Sequence, residues 1–332
     1  AVHLCVSPFF CVRSPLTQMH GVLTIALCAF MCEVRDALQS NHRCDARWKL
    51  VDDASFFNET LVNAAWNGPF DDAIPRGLFV SPQSRFAFCY IAKNGATSWS
   101  QLLHNILEGE VQTPEGGDYE VAARSVAKHG LSGVNEVFSD PGAVRAVFLR
   151  DPIARFTSAF LGKCVVNPQQ GLCFDPDALK RGPVTMRDAV RWASAVNLSK
   201  VRNPHWDLQV DHCGLRHHMS SYTHVGFVDK DTYDGDAACL AQLARVEHFN
   251  VRGDVRIFGS HVPLDQKMIT SSRVKETMFL KQVFTKEGAQ QLYDSTRADY
   301  EFFKFPKPEW MKHATGKLYD TALQADSVFL SQ

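Results

Sequence analysis

The sequence predicts an α/β fold in which a parallel sheet is flanked by helices, and two successive strand-to-helix units carry that prediction. In the first unit an apolar run at 86–91 leads through a short turn into helical spacing at 97–107. In the second, a strand at 144–149 runs directly into a helix from 153 to about 164, with Pro152 near its start, where proline is tolerated. Loops that follow parallel strands open at one edge of the sheet, so we expect both loops to face one crevice.

The composition is that of an ordinary globular protein. The chain has 332 residues, of which 45% are hydrophobic and 21% charged, with a formal net charge of −1. These values exclude a disordered protein, a collagen-like repeat and a small disulfide-built knot. The near-zero charge argues against a nucleic-acid partner, although it leaves room for a local basic pocket.

The N-terminal region precedes this predicted domain. Residues 21–32 are twelve residues without a charge, which is shorter than the roughly 20 apolar residues of a spanning helix. The run suits the apolar core of a signal peptide or a short signal-anchor, which would place the protein in the secretory pathway; the alternative is a buried helix. We therefore expect a leader over 1–32, a stem or irregular cap over 33–80, a catalytic domain over 81–310 and a tail over 311–332.

The cysteines and sequons bear on the same question. Four of the ten cysteines fall in the leader, and the six that remain form an even number that allows disulfides. Cys164 and Cys173 flank a loop rich in Pro, Gly and Gln, which is a natural place for a disulfide. Sequons for N-glycosylation occur at Asn58 and Asn197.

The turn after the first strand has the composition of a phosphate-binding loop. In AKNGATS, residues 92–98, Lys93 supplies a cation and Gly95 lets the backbone approach closely. Thr97 and Ser98 add hydroxyls at the helix start, where backbone N–H groups and the helix dipole favour an anion, and Thr97 or a neighbour could cap the helix. The Walker A pattern is absent, which weakens a magnesium-dependent kinase or NTPase. Taken alone, the loop is also compatible with an ordinary connection between a strand and a helix.

A second motif follows the second strand. In RDPIARFTSAF, residues 150–160, Arg150 stands at the strand end and Ser158 lies about two turns along the helix, so the two can grip a phosphate. The alternative makes Asp151 a helix cap and Arg155 a surface charge.

Together these motifs resemble the donor-binding segments of sulfotransferases, nearest to the Golgi carbohydrate sulfotransferases of the chondroitin, dermatan and HNK-1 group. Looser similarities follow at 203–213, 222–234 and 292–305. The resemblance implies a P-loop-NTPase-like sulfotransferase fold and 3′-phosphoadenosine 5′-phosphosulfate (PAPS) as donor. It also implies that Arg150 and Ser158 hold the 3′-phosphate, and that the 5′-phosphosulfate is bound by Lys93, Asn94, Gly95, Ala96, Thr97 and Ser98. Ala92, Asn94 and Ser98 depart from the commoner residues of that family.

Sulfuryl transfer needs a cation at the leaving oxygen and a base at the attacking hydroxyl. Lys93 is the predicted cation. His129 is the predicted base, because related sulfotransferases carry a catalytic histidine at a similar offset before the arginine, here 21 residues; the alternative is a surface histidine. His205, Glu136 and His104 are the competing bases.

The predicted function is PAPS-dependent transfer to a hydroxyl of a glycan acceptor in the Golgi lumen. The alternatives are transfer to a small molecule or a tyrosine, or a non-catalytic module that keeps the fold. The chemistry requires no metal, and the His/Cys cluster at 211–218 matches no usual zinc spacing.

Overall fold

The computed structural model describes residues 75–111, 120–175, 177, 179–228, 233–252, 255–258 and 276–323. The predicted leader over 1–32, most of the predicted stem and the sequon at Asn58 lie outside the described residues. Within the described part of the chain, no helix is long and apolar enough to cross a membrane.

A four-stranded sheet forms the centre of the fold, in the order β1 (Leu78–Ser81), β2 (Phe86–Cys89), β3 (Val144–Leu149) and β4 (His224–Phe227). Strands β2, β3 and β4 are parallel, and both predicted strands are confirmed as β2 and β3. β1 pairs antiparallel with β2, so the sheet is mixed and the prediction of a parallel sheet was incomplete. Only four residues connect β1 to β2, which suits a hairpin, whereas a parallel connection needs a longer crossover.

The edge strand β1 extends beyond the predicted domain boundary at residue 80, and the Ser125 side chain binds its backbone. The strand lies across that boundary, so the last residues of the predicted stem belong to the sheet. The Ser125 hydroxyl donates to the Val80 carbonyl at 2.6 Å and accepts from the Val80 N–H at 2.8 Å, which satisfies backbone groups of this edge strand. A small antiparallel pair, β5 (Val251–Arg252) and β6 (Val255–Arg256), lies outside the main sheet.

Helices flank the sheet, as predicted. The α-helices are α1 (Ala96–Glu108), α2 (Val121–Ser139), α3 (Pro152–Phe160), α4 (Met186–Ala195), α5 (Leu215–His218), α6 (Tyr233–Leu243), α7 (Lys286–Ser295) and α8 (Arg297–Phe302). A further helical segment covers 276–283. Short 3₁₀ turns lie at Pro168–Gln170, Leu179–Arg181, Leu198–Lys200, Gln209–Asp211, Met219–Ser221, Glu247–Phe249 and Glu309–His313.

The ends of α3 follow from its sequence. Asp151 is the N-cap, since its side chain accepts from the Ala154 N–H at 2.8 Å, and Pro152 occupies the first turn, where its missing N–H costs nothing. The α-helix ends at Phe160, earlier than predicted, and the chain continues as a π-helix over Leu161–Val166.

Two disulfides connect parts of the domain that are central to the site. Cys164 pairs with Cys173, as the loop composition predicts, and closes the loop after the π-helix. Cys89 pairs with Cys213 and joins the end of β2 to a segment 124 residues further along the chain.

An aromatic cluster anchors the beginning of α1 against the sheet. Trp99, in the first turn of the helix, stacks on Phe88 of β2 with ring centroids 4.1 Å apart, and its ring also contacts Phe148 and Phe258. Because these rings are buried, the helix start is held directly beyond the end of β2.

Candidate active site

The loop between β2 and α1 presents the helix N-terminus without a cap. Gly95 is the N-cap residue, in the left-handed conformation at φ 74°, and no side chain bonds to the helix start. The expectation that Thr97 or a neighbour caps the helix with its side chain was therefore wrong, because the N-cap is Gly95 and Thr97 lies within the first turn. The first N–H groups of α1 remain without a side-chain acceptor, which is the arrangement that binds a phosphate.

Little space separates Gly95 from the next element. The Tyr233 hydroxyl donates to the Gly95 carbonyl at 3.3 Å, and a β-carbon at Gly95 would overlap the Tyr233 ring. Glycine is thus required here by both the positive φ and the close approach.

Lys93 places its amine against the π-helix. A β-carbon on Gly162 would lie 2.7 Å from Lys93 Nζ, so the absence of a side chain at Gly162 makes room for the ammonium group. Burial, and to a smaller extent the charges of Lys163, Arg150 and Arg155, together lower the pKa of Lys93 to about 8. Four cationic side chains therefore surround one small region at the sheet edge, and an anion there would relieve their mutual repulsion.

Arg150 follows β3 and reaches the neighbouring loop. Its Nη1 donates to the Lys93 carbonyl at 3.1 Å, and its Nη2 forms an ion pair with Glu276 Oε1 at 3.0 Å. The structure thus brings Arg150 and Lys93 together, as expected for loops that follow adjacent parallel strands. Glu276 was not predicted, because nothing in its local sequence marks it.

Arg155 is buried, so the interpretation of this residue as a surface charge was wrong. It is 4% exposed, and burial lowers the pKa of its guanidinium to about 10. The guanidinium donates to the carbonyls of Ala92, Pro204 and Asp207 at 3.0, 2.8 and 2.5 Å. Arg155 therefore binds the phosphate loop to the segment that begins at 203, and its donors are used within the protein.

A buried glutamine connects the two motifs. Gln209 Oε1 accepts from Asn94 Nδ2 at 2.8 Å and from the Arg150 N–H at 3.0 Å, and Gln209 Nε2 donates to the Arg150 carbonyl at 2.8 Å. Asp299 in turn accepts from the backbone N–H groups of Gln209 and Val210 at 3.0 and 2.9 Å. Gln209 was not predicted, although it lies in the 203–213 stretch whose resemblance to the family could have indicated it.

Asn94 has a different role from the other loop residues. Its side chain is buried, and Nδ2 also donates to the Phe148 carbonyl at 2.8 Å, so this amide positions the loop. Ala96 and Ser98 are half-buried and Thr97 is exposed. Ser158 is half-buried on α3, and no residue of the described chain bonds to its hydroxyl, which leaves that hydroxyl available to a ligand.

The predicted base, His129, lies elsewhere. It belongs to α2, next to a kink at Gly130, and not to a surface turn. A β-carbon on Gly133 would lie 2.7 Å from His129 Cβ and 3.2 Å from Pro82 Cγ, so His129 packs at the β1–β2 turn. That turn is at the amino end of β2, whereas Lys93 follows the carboxyl end, and a four-residue strand spans about 13 Å. The structure does not bring His129 to Lys93.

The loops and cations described above lie within a region that matches a known protein family. A family model described as "Sulfotransferase family" matches residues 76–306, which is more than half of the chain. The chain belongs to the sulfotransferase family. No curated protein and no solved structure matched it.

The family and the fold assign the activity: this sulfotransferase moves a sulfonate group from a donor to an acceptor. The site has the features that a phosphorylated sulfonate donor requires, because an uncapped helix N-terminus, the Lys93 ammonium and the Arg150 guanidinium lie together. Among the described residues, no group of three or more His, Cys, Asp or Glu side chains is arranged to hold a metal ion. In the cluster at 211–218, Cys213 is in a disulfide and His212 Nε2 bonds to Asp207 at 2.7 Å.

Proposed function

We propose that this sulfotransferase transfers the sulfuryl group of PAPS to a hydroxyl of a glycan acceptor. One observation carries the proposal: Lys93 and Arg150 lie on loops that follow adjacent parallel strands, beside an uncapped helix start, and the Arg150 guanidinium donates to the Lys93 backbone carbonyl. The donor has anionic groups at its 5′ and 3′ positions, and the two loops offer one cationic residue for each. Ser158 would add a hydroxyl donor to the 3′-phosphate.

The reaction is an in-line displacement at sulfur. The acceptor oxygen forms a bond to sulfur while the bond from sulfur to the bridging oxygen breaks, and that electron pair passes to the 5′-phosphate of the leaving nucleotide. The hydroxyl proton passes to a base. The Lys93 ammonium and the N–H groups of Ala96 and Thr97 stabilise the charge that develops on the leaving phosphate, in a site where water is partly excluded.

The disulfides support a compartment of the secretory pathway. Two disulfides lie within the described domain, and disulfides persist in oxidising environments and are rare in the cytosol. Asn197, in the second sequon, is exposed. The Golgi lumen, where glycans meet PAPS, is the location that agrees with these features and with the resemblance to carbohydrate sulfotransferases.

Titration of the purified protein with 3′-phosphoadenosine 5′-phosphate (PAP) tests the donor site. We expect 1:1 binding that Arg150→Ala weakens by at least tenfold. Arg191→Ala serves as a matched control, since Arg191 is exposed on α4, away from both motifs. Absence of binding, or equal weakening by both variants, would contradict the proposal.

An acceptor panel with radiolabelled PAPS tests the glycan assignment. The panel contains desulfated chondroitin, desulfated dermatan, an oligosaccharide ending in glucuronic acid, a tyrosine peptide and a simple phenol. Transfer to a saccharide supports the proposal. Transfer to the peptide or the phenol alone would favour a tyrosine or small-molecule sulfotransferase, and PAP binding without transfer would favour a non-catalytic module.

A further inference from the structure

We propose that His205 is the base that takes the proton from the acceptor hydroxyl, and that the acceptor binds between His205 and Lys93. This inference rests on the proposed function, since it assigns a residue to the acceptor side of the same site. Three independent observations support it: the position of the residue, the orientation of its ring and the charges around it.

The position of His205 is fixed by a buried guanidinium. Arg155 donates to the Ala92 carbonyl through Nε and to the Pro204 carbonyl through Nη2. Lys93 directly follows the first of these residues and His205 the second. The Arg155 side chain therefore holds two backbone segments side by side, the one that carries Lys93 and the one that carries His205. The Cys89–Cys213 disulfide is a second, covalent connection between the same two segments.

The ring of His205 is oriented by Asn203. The Asn203 carboxamide oxygen accepts from the His205 backbone N–H at 3.1 Å, which fixes that oxygen as the atom facing the histidine. The same oxygen lies 3.0 Å from His205 Nδ1, so Nδ1 must carry the hydrogen and donate it. Nε2 then has the free electron pair, and no residue of the described chain bonds to it. An imidazole held by its Nδ1–H with an available Nε2 is the arrangement that general-base histidines use.

The charges around His205 keep it neutral in the free protein. Burial first, and then the nearby Lys163, Lys93, Arg155 and His212, together lower its pKa to about 3. A neutral imidazole can accept a proton without first losing one. When the anionic donor binds to Lys93, its negative charge opposes these cations and raises the basicity of His205, so the base strengthens when the sulfuryl group is in place.

The other candidate bases lie away from Lys93. His129 packs at the opposite end of β2, and Glu136 lies further along the same helix, which leads to the amino end of β3. His104 is buried in α1, nine residues beyond Gly95, which corresponds to about 13 Å along a helix.

The test measures turnover and donor binding separately, with radiolabelled PAPS, desulfated chondroitin or the better acceptor from the panel, and PAP titration. We expect His205→Ala and His205→Gln to lower kcat by at least a hundredfold while the Kd for PAP changes less than threefold. His313→Ala, at an exposed histidine near the C-terminus, should leave both values unchanged. Undiminished turnover in the His205 variants, or a comparable loss in His129→Ala alone, would overturn the assignment.

A second variant distinguishes a base from a structural residue. Asn203→Asp keeps an oxygen acceptor for Nδ1 but adds a negative charge, which raises the pKa of His205. The acidic limb of the pH profile of kcat/KM should therefore move to higher pH by about one unit. An acidic limb at the same pH as in the unsubstituted protein would count against His205. If the wild-type protein does not bind PAP at all, it is the proposed donor site that fails, and this outcome is distinct from intact binding with unaffected turnover.

Discussion

Gln209 is the side chain through which the two donor motifs are joined, and Gln209→Met removes that connection at nearly constant side-chain length. Three hydrogen bonds are lost: one with the Asn94 amide and two with the backbone of Arg150. Each is worth about 1 kcal/mol, and leaving half-buried backbone groups of Arg150 without partners adds to the cost. We therefore expect the free energy of unfolding to fall by about 3 to 5 kcal/mol.

Urea denaturation under non-reducing conditions measures this change. Gln291→Met is the matched control, because Gln291 is exposed on α7 and its substitution should change stability by less than about 0.5 kcal/mol. PAP affinity should also fall by about tenfold in Gln209→Met, equivalent to about 1.4 kcal/mol. The reason is that Gln209 no longer holds the two donor-binding loops in a fixed position relative to each other.

Gln209→Glu is a second variant that tests the same connection if the methionine variant folds poorly. A carboxylate can accept from Asn94 and from the Arg150 N–H but cannot donate to the Arg150 carbonyl. A loss below 1 kcal/mol in Gln209→Met, or equal effects of Gln209→Met and Gln291→Met, would refute the view that Gln209 couples the motifs.

Three further predictions concern the same domain. The pKa of Lys93 is about 8 and the protonated amine binds the anion, so PAP affinity should weaken as the pH rises through 8. Calorimetry should show weaker binding by Lys93→Met, without the loss of affinity between about pH 7 and 9 that the unsubstituted protein shows. Glu276→Gln should strengthen PAP binding two- to fivefold at low salt, and less at high salt, because the carboxylate competes with the ligand for Arg150; weaker binding would contradict this. Replacing Cys89 and Cys213 together by Ala should lower the free energy of unfolding by about 2 to 5 kcal/mol, and an unchanged urea midpoint would show that the disulfide contributes little.

The sequence predicted those parts of the fold in which local pattern and tertiary environment agree. Strands β2 and β3 are short apolar runs that end in turn residues, and α1 and α3 have helical spacing with start signals close to where the helices begin. The prediction missed β1 because its four residues are continuous with the polar region before them, and strand pairing depends on a partner distant from the local pattern.

The sequence by itself determined that Lys93 and Arg150 follow two strands and face one sheet edge, because parallel strands with crossover connections permit that arrangement only. It could not determine which histidine lies with them. His129 has the expected spacing along the chain, yet helix α2 carries it to the other end of the sheet. His205, Arg155 and Gln209 reach the loops through contacts between residues roughly 50 to 115 positions apart. Such contacts depend on how buried polar groups find partners when the chain packs, and only the tertiary structure decides them.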